Sequence, residues 1–192
     1  VGNYGADHLQ WIMDKAGLEI FDVTLNDVYG GSFRIFIKKK ENPKYLPTSG
    51  FLKVLQDESE MGIYDSATYV NFMKRVEKTR IDLIGLCKKI KLQGKKIWIY
   101  GASTKGNTIL QYCGITNDLI EAAADSNPFK FGKYIIGADI PIKTEDEMRS
   151  AKPDYLLALP YSFIDGFMNR ESNLINTGTK FIVPLPDVRI LS

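Results

Sequence analysis

Leu9, Ile12, Met13 and Ala16 fall at i, i+3, i+4 and i+7, the stripe of a short amphipathic helix, with Asp7 placed as its N-cap and Gly17 as its stop. A strand follows, because Leu18, Ile20, Val23 and Leu25 are apolar within Leu18-Glu-Ile-Phe-Asp-Val-Thr-Leu25. After Tyr29-Gly30-Gly31 a second strand, Phe33-Arg-Ile-Phe-Ile-Lys38, runs into Lys39 and Lys40. Helix, strand, Gly-Gly connection and strand make an αββ unit. Asn42, Pro43, Pro47, Ser49 and Gly50 then give the chain a linker-like composition, and a boundary is expected near residue 45.

From Thr48 to Gln93 the pattern is helical. Phe51, Leu52 and Leu55 open it, Gly62 interrupts it, and Tyr69, Phe72, Met73, Val76, Ile81, Ile84 and Leu86 continue it to Gly94. Lys95-Lys-Ile-Trp-Ile-Tyr-Gly101 is a compact apolar run, suited to a buried parallel strand, with a helix opening after it at about Lys105. The same grammar repeats: a strand over Leu119–Asp125, a short helix over Thr144–Ser150, a strand over Tyr155–Pro160, a helix over Phe163–Leu174 and a last strand over Lys180–Val183. Alternating strand and helix predicts α/β architecture, a doubly wound parallel sheet of the Rossmann-like kind. The expected organisation is therefore a tail over 1–45, a helical linker over 46–93 and a Rossmann-like domain over 94–192.

Composition narrows the chemistry. With 25 Lys+Arg against 23 Asp+Glu the net charge is +2, which argues against a strongly basic nucleic-acid binder. Forty-four per cent apolar residues exclude intrinsic disorder. Cys87 and Cys113 stand far apart in sequence without CxxC spacing, and with His8 as the single histidine there is no Cys/His cluster for zinc. No charged n-region with an apolar h-region opens the chain, and no run of 18 apolar residues occurs. The expectation is a cytoplasmic protein with reduced thiols, no metal, and neither a membrane nor a nucleic acid as partner.

The most informative stretch is Tyr100-Gly-Ala-Ser-Thr-Lys-Gly-Asn-Thr108, a strand-to-helix turn with two glycines around small hydroxyl residues and a lysine. Backbone N–H groups at a helix start, the helix dipole and Lys105 favour a phosphate or another anion, with Ser103, Thr104 and Thr108 as further donors. Gly101 and Gly106 match the outer glycines of G-x-G-x-x-G, but Ser103 stands at the central position where backbone meets pyrophosphate. The other reading of this turn is a tight crossover with structural glycines only. Asp125 ends the next strand, 125 − 106 = 19 residues after Gly106. That is close to where a dinucleotide fold places its ribose carboxylate, and Ser126-Asn127-Pro128 supports plain turn chemistry equally well. Tyr161 and Ser162 follow Pro160 at the carboxyl end of a later strand, the edge where open α/β sheets bind ligands; Ser162 reads alternatively as a helix N-cap.

His8 has no nucleophile motif beside it and is not assigned catalysis. Lys38, Lys39 and Lys40 read as the solvated end of an edge strand, and Lys88, Lys89, Lys91, Lys95 and Lys96 as the wet face of a helix.

Taken in order, Gly30-Gly-Ser-Phe-Arg34, Gly101-Ala-Ser-Thr-Lys-Gly-Asn-Thr108, Tyr112-Cys-Gly-Ile115, Asp125-Ser-Asn-Pro128, Pro153-Asp-Tyr155, Leu159-Pro-Tyr-Ser-Phe163 and Phe181-Ile-Val-Pro-Leu-Pro186 resemble the C-terminal part of the S-adenosylmethionine-dependent sugar C-methyltransferase family. The likeness covers nearly the whole chain, and it is the ordered set that makes it specific. In that family a zinc-binding module and a class I methyltransferase domain precede a C-terminal Rossmann-like domain that helps to hold a nucleotide-diphospho-sugar. The αββ tail then corresponds to the end of the methyltransferase sheet.

The family's cysteine-rich module, its glycine-rich S-adenosylmethionine loop and its Tyr-His-Glu-His segment have no counterpart in these residues, and His8 does not match the last of these. The resemblance thus implies a C-terminal fragment unable to transfer a methyl group alone, with S-adenosylmethionine bound mainly outside it. In the whole enzyme a base would remove the proton alpha to the keto group of a nucleotide-linked ketosugar, and the enolate would attack the sulfonium methyl, in a pocket that stabilises the anion and excludes water. The residues here would contribute binding: Ser103, Thr104, Lys105 and Asn107 near the diphosphate or sugar, Tyr161 and Ser162 on the opposite rim. Gly30, Gly31, Ser32 and Arg34 either shape the substrate side or serve the hairpin. Beside this stand an NAD- or nucleotide-binding module of an oxidoreductase, which the turn and Asp125 support, and a scaffold that binds nothing.

Overall fold

The structure, a computed structural model, describes residues 4–28 and 31–192, so Gly30 lies outside the described residues. The chain divides into two compact units, Val1–Met73 and Lys74–Ser192. Neither expected boundary, near 45 or near 93, coincides with this division, which falls inside a long helix.

In the first unit α1 (Ala6–Lys15) precedes an antiparallel pair, β1 (Leu18–Asn26) and β2 (Ser32–Lys39). A bulge between Ile20 and Asp22 lets Ile20 and Val23 both turn inward although they are three apart. They pack with Ala6, Phe51 and Val54. Phe51 and Val54 belong to α2 (Ser49–Glu60), capped by the Thr48 hydroxyl, which accepts from the Gly50 N–H. Residues 49–60, expected as the start of a helical linker, are helical, and their apolar stripe of Phe51, Val54 and Leu55 packs on the core of the first unit.

The N-cap of α1 is Gly5 and not Asp7. Its start is held from a distance: the buried Glu58 carboxylate accepts the Ala6 N–H at 2.8 and 2.9 Å, while His8 Nδ1 accepts the Gly5 N–H at 3.2 Å. Lys38 is not solvated either. Its ammonium pairs with Glu19, its neighbour across the hairpin, at 3.1 Å. Gly31 adopts φ +122°, and the Ser32 hydroxyl donates to Asn26 Oδ1 at 2.7 Å, the hairpin role foreseen as one alternative.

The division between units lies within α3 (Ser66–Leu92). The second unit contains a sheet in the order β5-β6-β4-β3-β7-β8-β9. Its strands are β3 (Ile97–Tyr100), β4 (Ala122–Asp125), β5 (Tyr134–Ile135), β6 (Ile140–Thr144), β7 (Tyr155–Ala158), β8 (Lys180–Val183) and β9 (Arg189–Leu191). The β6-β4-β3-β7-β8 centre is parallel, and each edge is an antiparallel strand. The sequence pattern shows neither β5, β6 nor β9.

Alternation along the central strands builds two cores. Ile97 and Ile99 pack on Leu83, Cys87 and Ile90 of α3 and on Leu110 and Cys113 of α4 (Thr104–Cys113). Trp98 and Tyr100 pack on the opposite face with Met148 of α5 (Glu145–Ala151), Phe167 of α6 (Ile164–Arg170) and Leu174 of α7 (Ser172–Asn176). A sheet covered on both faces reads as continuous apolar runs, as Ile97–Tyr100 does. The helix expected over Phe163–Leu174 is a 3-10 turn (Tyr161–Phe163) followed by α6 and α7, interrupted at Glu171. Burial pushes the Cys87 thiol up to about 12, so it is protonated at neutral pH. No described helix is long and apolar enough to cross a membrane.

Candidate functional site

β3 is the first strand of its sheet in chain order, and the chain goes next to β4 on one side and later to β7 on the other. The strand order thus reverses at β3/β7. In open α/β sheets the crevice outside the carboxyl ends at such a reversal is where ligands bind. Tyr100 is level with Ala158 across the pair, which brings the turn after β3 and the turn after β7, the two segments singled out in the sequence, to the same place.

Their approach is closer than the sequence suggests. A Cβ on Gly101, which has φ +85°, would stand 2.6 Å from Pro160 Cγ, and one on Gly106 would stand 2.4 Å from Leu159 Cβ. Both glycines are filled by the turn after β7. They let two loops interlock and leave no room for a ligand to approach the backbone there.

The turn's N–H groups are largely committed. Gly101 donates to Ala124 O at 2.8 Å and Ser103 to Gly101 O at 2.9 Å. Ala102 donates to Asp125 Oδ2 at 3.0 Å. Ser103 is the N-cap of α4, its hydroxyl oxygen accepting the Gly106 N–H at 3.0 Å. Since the first-turn donors of a helix have no acceptor one turn back, the exposed Thr104 and Lys105 are the residues that present this helix end outward. Asn107 lies in the same turn, and its Oδ1 is buried without a hydrogen-bond partner, a costly arrangement in the absence of a donor.

Asp125 has a defined occupation. Besides Ala102 it accepts the Asn127 N–H at 2.8 Å and the Lys130 ammonium at 2.8 Å. Lys130 also donates to Ala102 O at 3.0 Å. The carboxylate ties the turn after β3 to the turn after β4, which is the turn chemistry expected as one of the two readings of Asp125. Lys130 is a basic group beside the site that the sequence did not single out. The 3-10 turn Pro128–Lys130 folds it back onto Asp125, five positions earlier.

On the far rim, Tyr161 is half-buried and Ser162 exposed. Ser162 caps no helix: it sits inside the 3-10 turn, in which Phe163 N donates to Pro160 O at 3.0 Å. It opens instead onto a surface pocket of about 460 Å³ shared with Phe163, Asp165, Gly166, Phe167 and Arg170.

Behind the pocket lies a charged network. Tyr100 donates its hydroxyl hydrogen to Glu171 Oε1 at 2.8 Å and accepts from Arg170 Nε at 2.8 Å, and Arg149 grips Glu171 with two bonds of 2.7 and 3.0 Å. Burial pushes the Glu171 carboxyl up, but the hydrogen bonds from Arg149 and Tyr100 and the guanidinium charges outweigh it and hold the group below the usual carboxylate range.

Two comparisons bear on what this arrangement serves. The family model described as "C-methyltransferase C-terminal domain" matches residues 27–186. The chain is 30% identical over 181 residues to the protein named C-methyltransferase NovU of Streptomyces niveus, a match covering 94% of this chain and 43% of that one. It therefore spans less than half the length of this relative.

Proposed function

Because the chain belongs to the family of C-methyltransferase C-terminal domains, we propose that it is the substrate-binding portion of an S-adenosylmethionine-dependent C-methyltransferase acting on a nucleotide-diphospho-ketosugar. In this reading residues 74–192 are a Rossmann-like domain, and the αββ segment is the end of a class I methyltransferase sheet. The carrying observation is the meeting of the α4 start with the Pro160–Ser162 turn at the β3/β7 reversal, where Asn107 Oδ1 is buried without a partner. Thr104 and Lys105 would face the diphosphate together with the helix dipole, Ser103 would shape the turn as its cap, and Tyr161 and Ser162 would close the other rim. Binding energy gathered on such a nucleotide handle positions the sugar for chemistry elsewhere.

Pro160 and Leu159 fill the space over Gly101 and Gly106, so no ligand lies against that backbone as a dinucleotide or S-adenosylmethionine does over a glycine-rich turn, and in this reading the sugar diphosphate meets the exposed side of Thr104 and Lys105 instead. No methyl-transfer step is therefore assigned to residues of this chain. The test is calorimetric titration with UDP-, dTDP- and GDP-sugars, with NAD as the control. Lys105→Ala should weaken diphospho-sugar binding about tenfold, or 1.4 kcal/mol. Unchanged affinity would remove the α4 start from the site, and binding of NAD alone would favour the oxidoreductase reading.

A further inference from the structure

The pocket beside Ser162 is built by a missing side chain. Gly166 lies within α6, and a Cβ added to it would meet nothing within 4 Å. Ser162 and Arg170 stand four residues to either side, with Phe163 three before and Phe167 next to it, so these residues ring bare backbone. Phe163 and Phe167 are tilted at 44° with centroids 6.3 Å apart, and Phe163 is 62% exposed, so one aromatic face of the pair is open to solvent. The Arg170 guanidinium lies 5.7 Å from the Phe167 ring centre. Its Nε is tied to Tyr100 and one Nη to Glu145 at 3.1 Å, which fixes its plane while the side chain stays about half exposed at 47%.

We propose that this pocket is a nucleobase subsite, taking a base that carries both a ring N–H and a carbonyl oxygen: uracil, thymine or guanine. The assignment rests on the proposed nucleotide-sugar reading and extends it to the part of the ligand beyond the diphosphate. Aromatic faces and guanidinium planes are the surfaces on which bases stack. One carboxylate, Asp165, accepts from a ring N–H, and the remaining Arg170 N–H groups donate to a carbonyl oxygen. Adenine can reach the same pair only through its exocyclic amino N–H and a ring nitrogen, having neither a ring N–H nor a carbonyl oxygen on that edge, and the preference for an oxo-base is what the titration reads. A sugar would need several paired groups for its hydroxyls, and among the pocket residues only Ser162 and Asp165 offer uncommitted polar side-chain atoms beside Arg170. The pocket is also continuous with the candidate site, since Ser162 belongs to both and lies two residues past Pro160, which covers Gly101.

The experiment titrates the chain with UDP, dTDP, GDP, ADP and inorganic pyrophosphate, and repeats the series for Gly166→Leu, Phe163→Ala and Lys105→Ala. At least one oxo-base diphosphate should bind on the order of tenfold more tightly than ADP or pyrophosphate. Gly166→Leu, which fills the pocket, and Phe163→Ala, which removes a stacking face, should each abolish that advantage and leave pyrophosphate unchanged. A melting curve establishes that each variant folds. Should Gly166→Leu not fold, the exposed Phe163→Ala carries the test. Equal binding of all four nucleotides and pyrophosphate would overturn the base subsite, as would full oxo-base affinity in both pocket variants. If Lys105→Ala still weakened every ligand in those cases, the diphosphate reading would stand without the base subsite. No binding by any nucleotide would overturn both.

Discussion

Residues 97–100 and residues 18–26 are both strands, but they are stabilised differently. Every residue of β3 is buried, two against the α3/α4 side and two against the α5/α6/α7 side. In β1 only Ile20 and Val23 are buried, and both face one cluster, while Leu25 and, on β2, Ile37 are exposed. A sheet covered on two sides makes each strand residue answerable to a full core. A two-stranded sheet covered on one side is marginal by itself, and here it relies on helices held by a few polar ties such as Glu58. Turns that interlock at a strand reversal, as those after β3 and β7 do, need the first kind of support, because they keep their geometry only if the strands beneath them do not shift.

Each unit carries one tryptophan, the buried Trp98 and the largely exposed Trp11, so unfolding of the two can be followed separately in single-tryptophan backgrounds. The largest effect is expected for Phe181→Ala, at a fully buried position in the two-sided core. It should cost about 3–5 kcal/mol in urea titrations read at Trp98 and leave the Trp11 transition in place. Equal shifts at both probes would break the comparison by showing one cooperative unit. Next comes Glu171→Gln, which leaves two guanidinium groups without their buried carboxylate and should cost about 3 kcal/mol at neutral pH. Because the folded carboxyl is held below its ordinary value, its contribution is full above the unfolded pKa of about 4.3 and is lost as pH falls through the folded value. Wild-type stability should therefore drop on acidification below that point, more steeply than in the variant; parallel pH profiles would remove Glu171 from the acid response. The smallest effect, about 1–2 kcal/mol, is expected for Glu58→Ala, which uncaps α1, with the shift read at Trp11 alone.

The central strands were legible because local pattern and tertiary role coincide there: Ile97–Tyr100 is apolar on both faces. The cap was not read, since Ser103 drew attention as an anion donor and its hydroxyl oxygen accepts the Gly106 N–H instead. The edges were illegible for the opposite reason: β5 has two residues, β9 has three, and β6 contains Pro141, too short or interrupted for any period to show. Glu171 looked like an ordinary helix residue between Phe163 and Leu174, yet it turns inward to meet Arg149 and Tyr100, 22 and 71 positions away, and the helix breaks there. At the candidate site, Thr104, Lys105, Tyr161 and Ser162 were singled out from their place at strand ends, and the β3/β7 pairing brings their two turns together. The filling of Gly101 and Gly106 by Pro160 and Leu159 was not legible, because it depends on which strand lies beside β3. Lys130 and the Gly166 pocket carried signals that could have been read: a lysine five residues past a strand-end aspartate, and a glycine amid two phenylalanines at helical spacing.

The antiparallel strands that end the large sheet set how these molecules behave when crowded. A sheet grows from chain to chain through the free N–H and C=O groups of its outermost strands. Here those strands are only two and three residues long, and each runs antiparallel to the outermost strand of the parallel centre. A neighbouring copy finds a ladder too short to extend, and this sheet is guarded at both ends against fibrous growth.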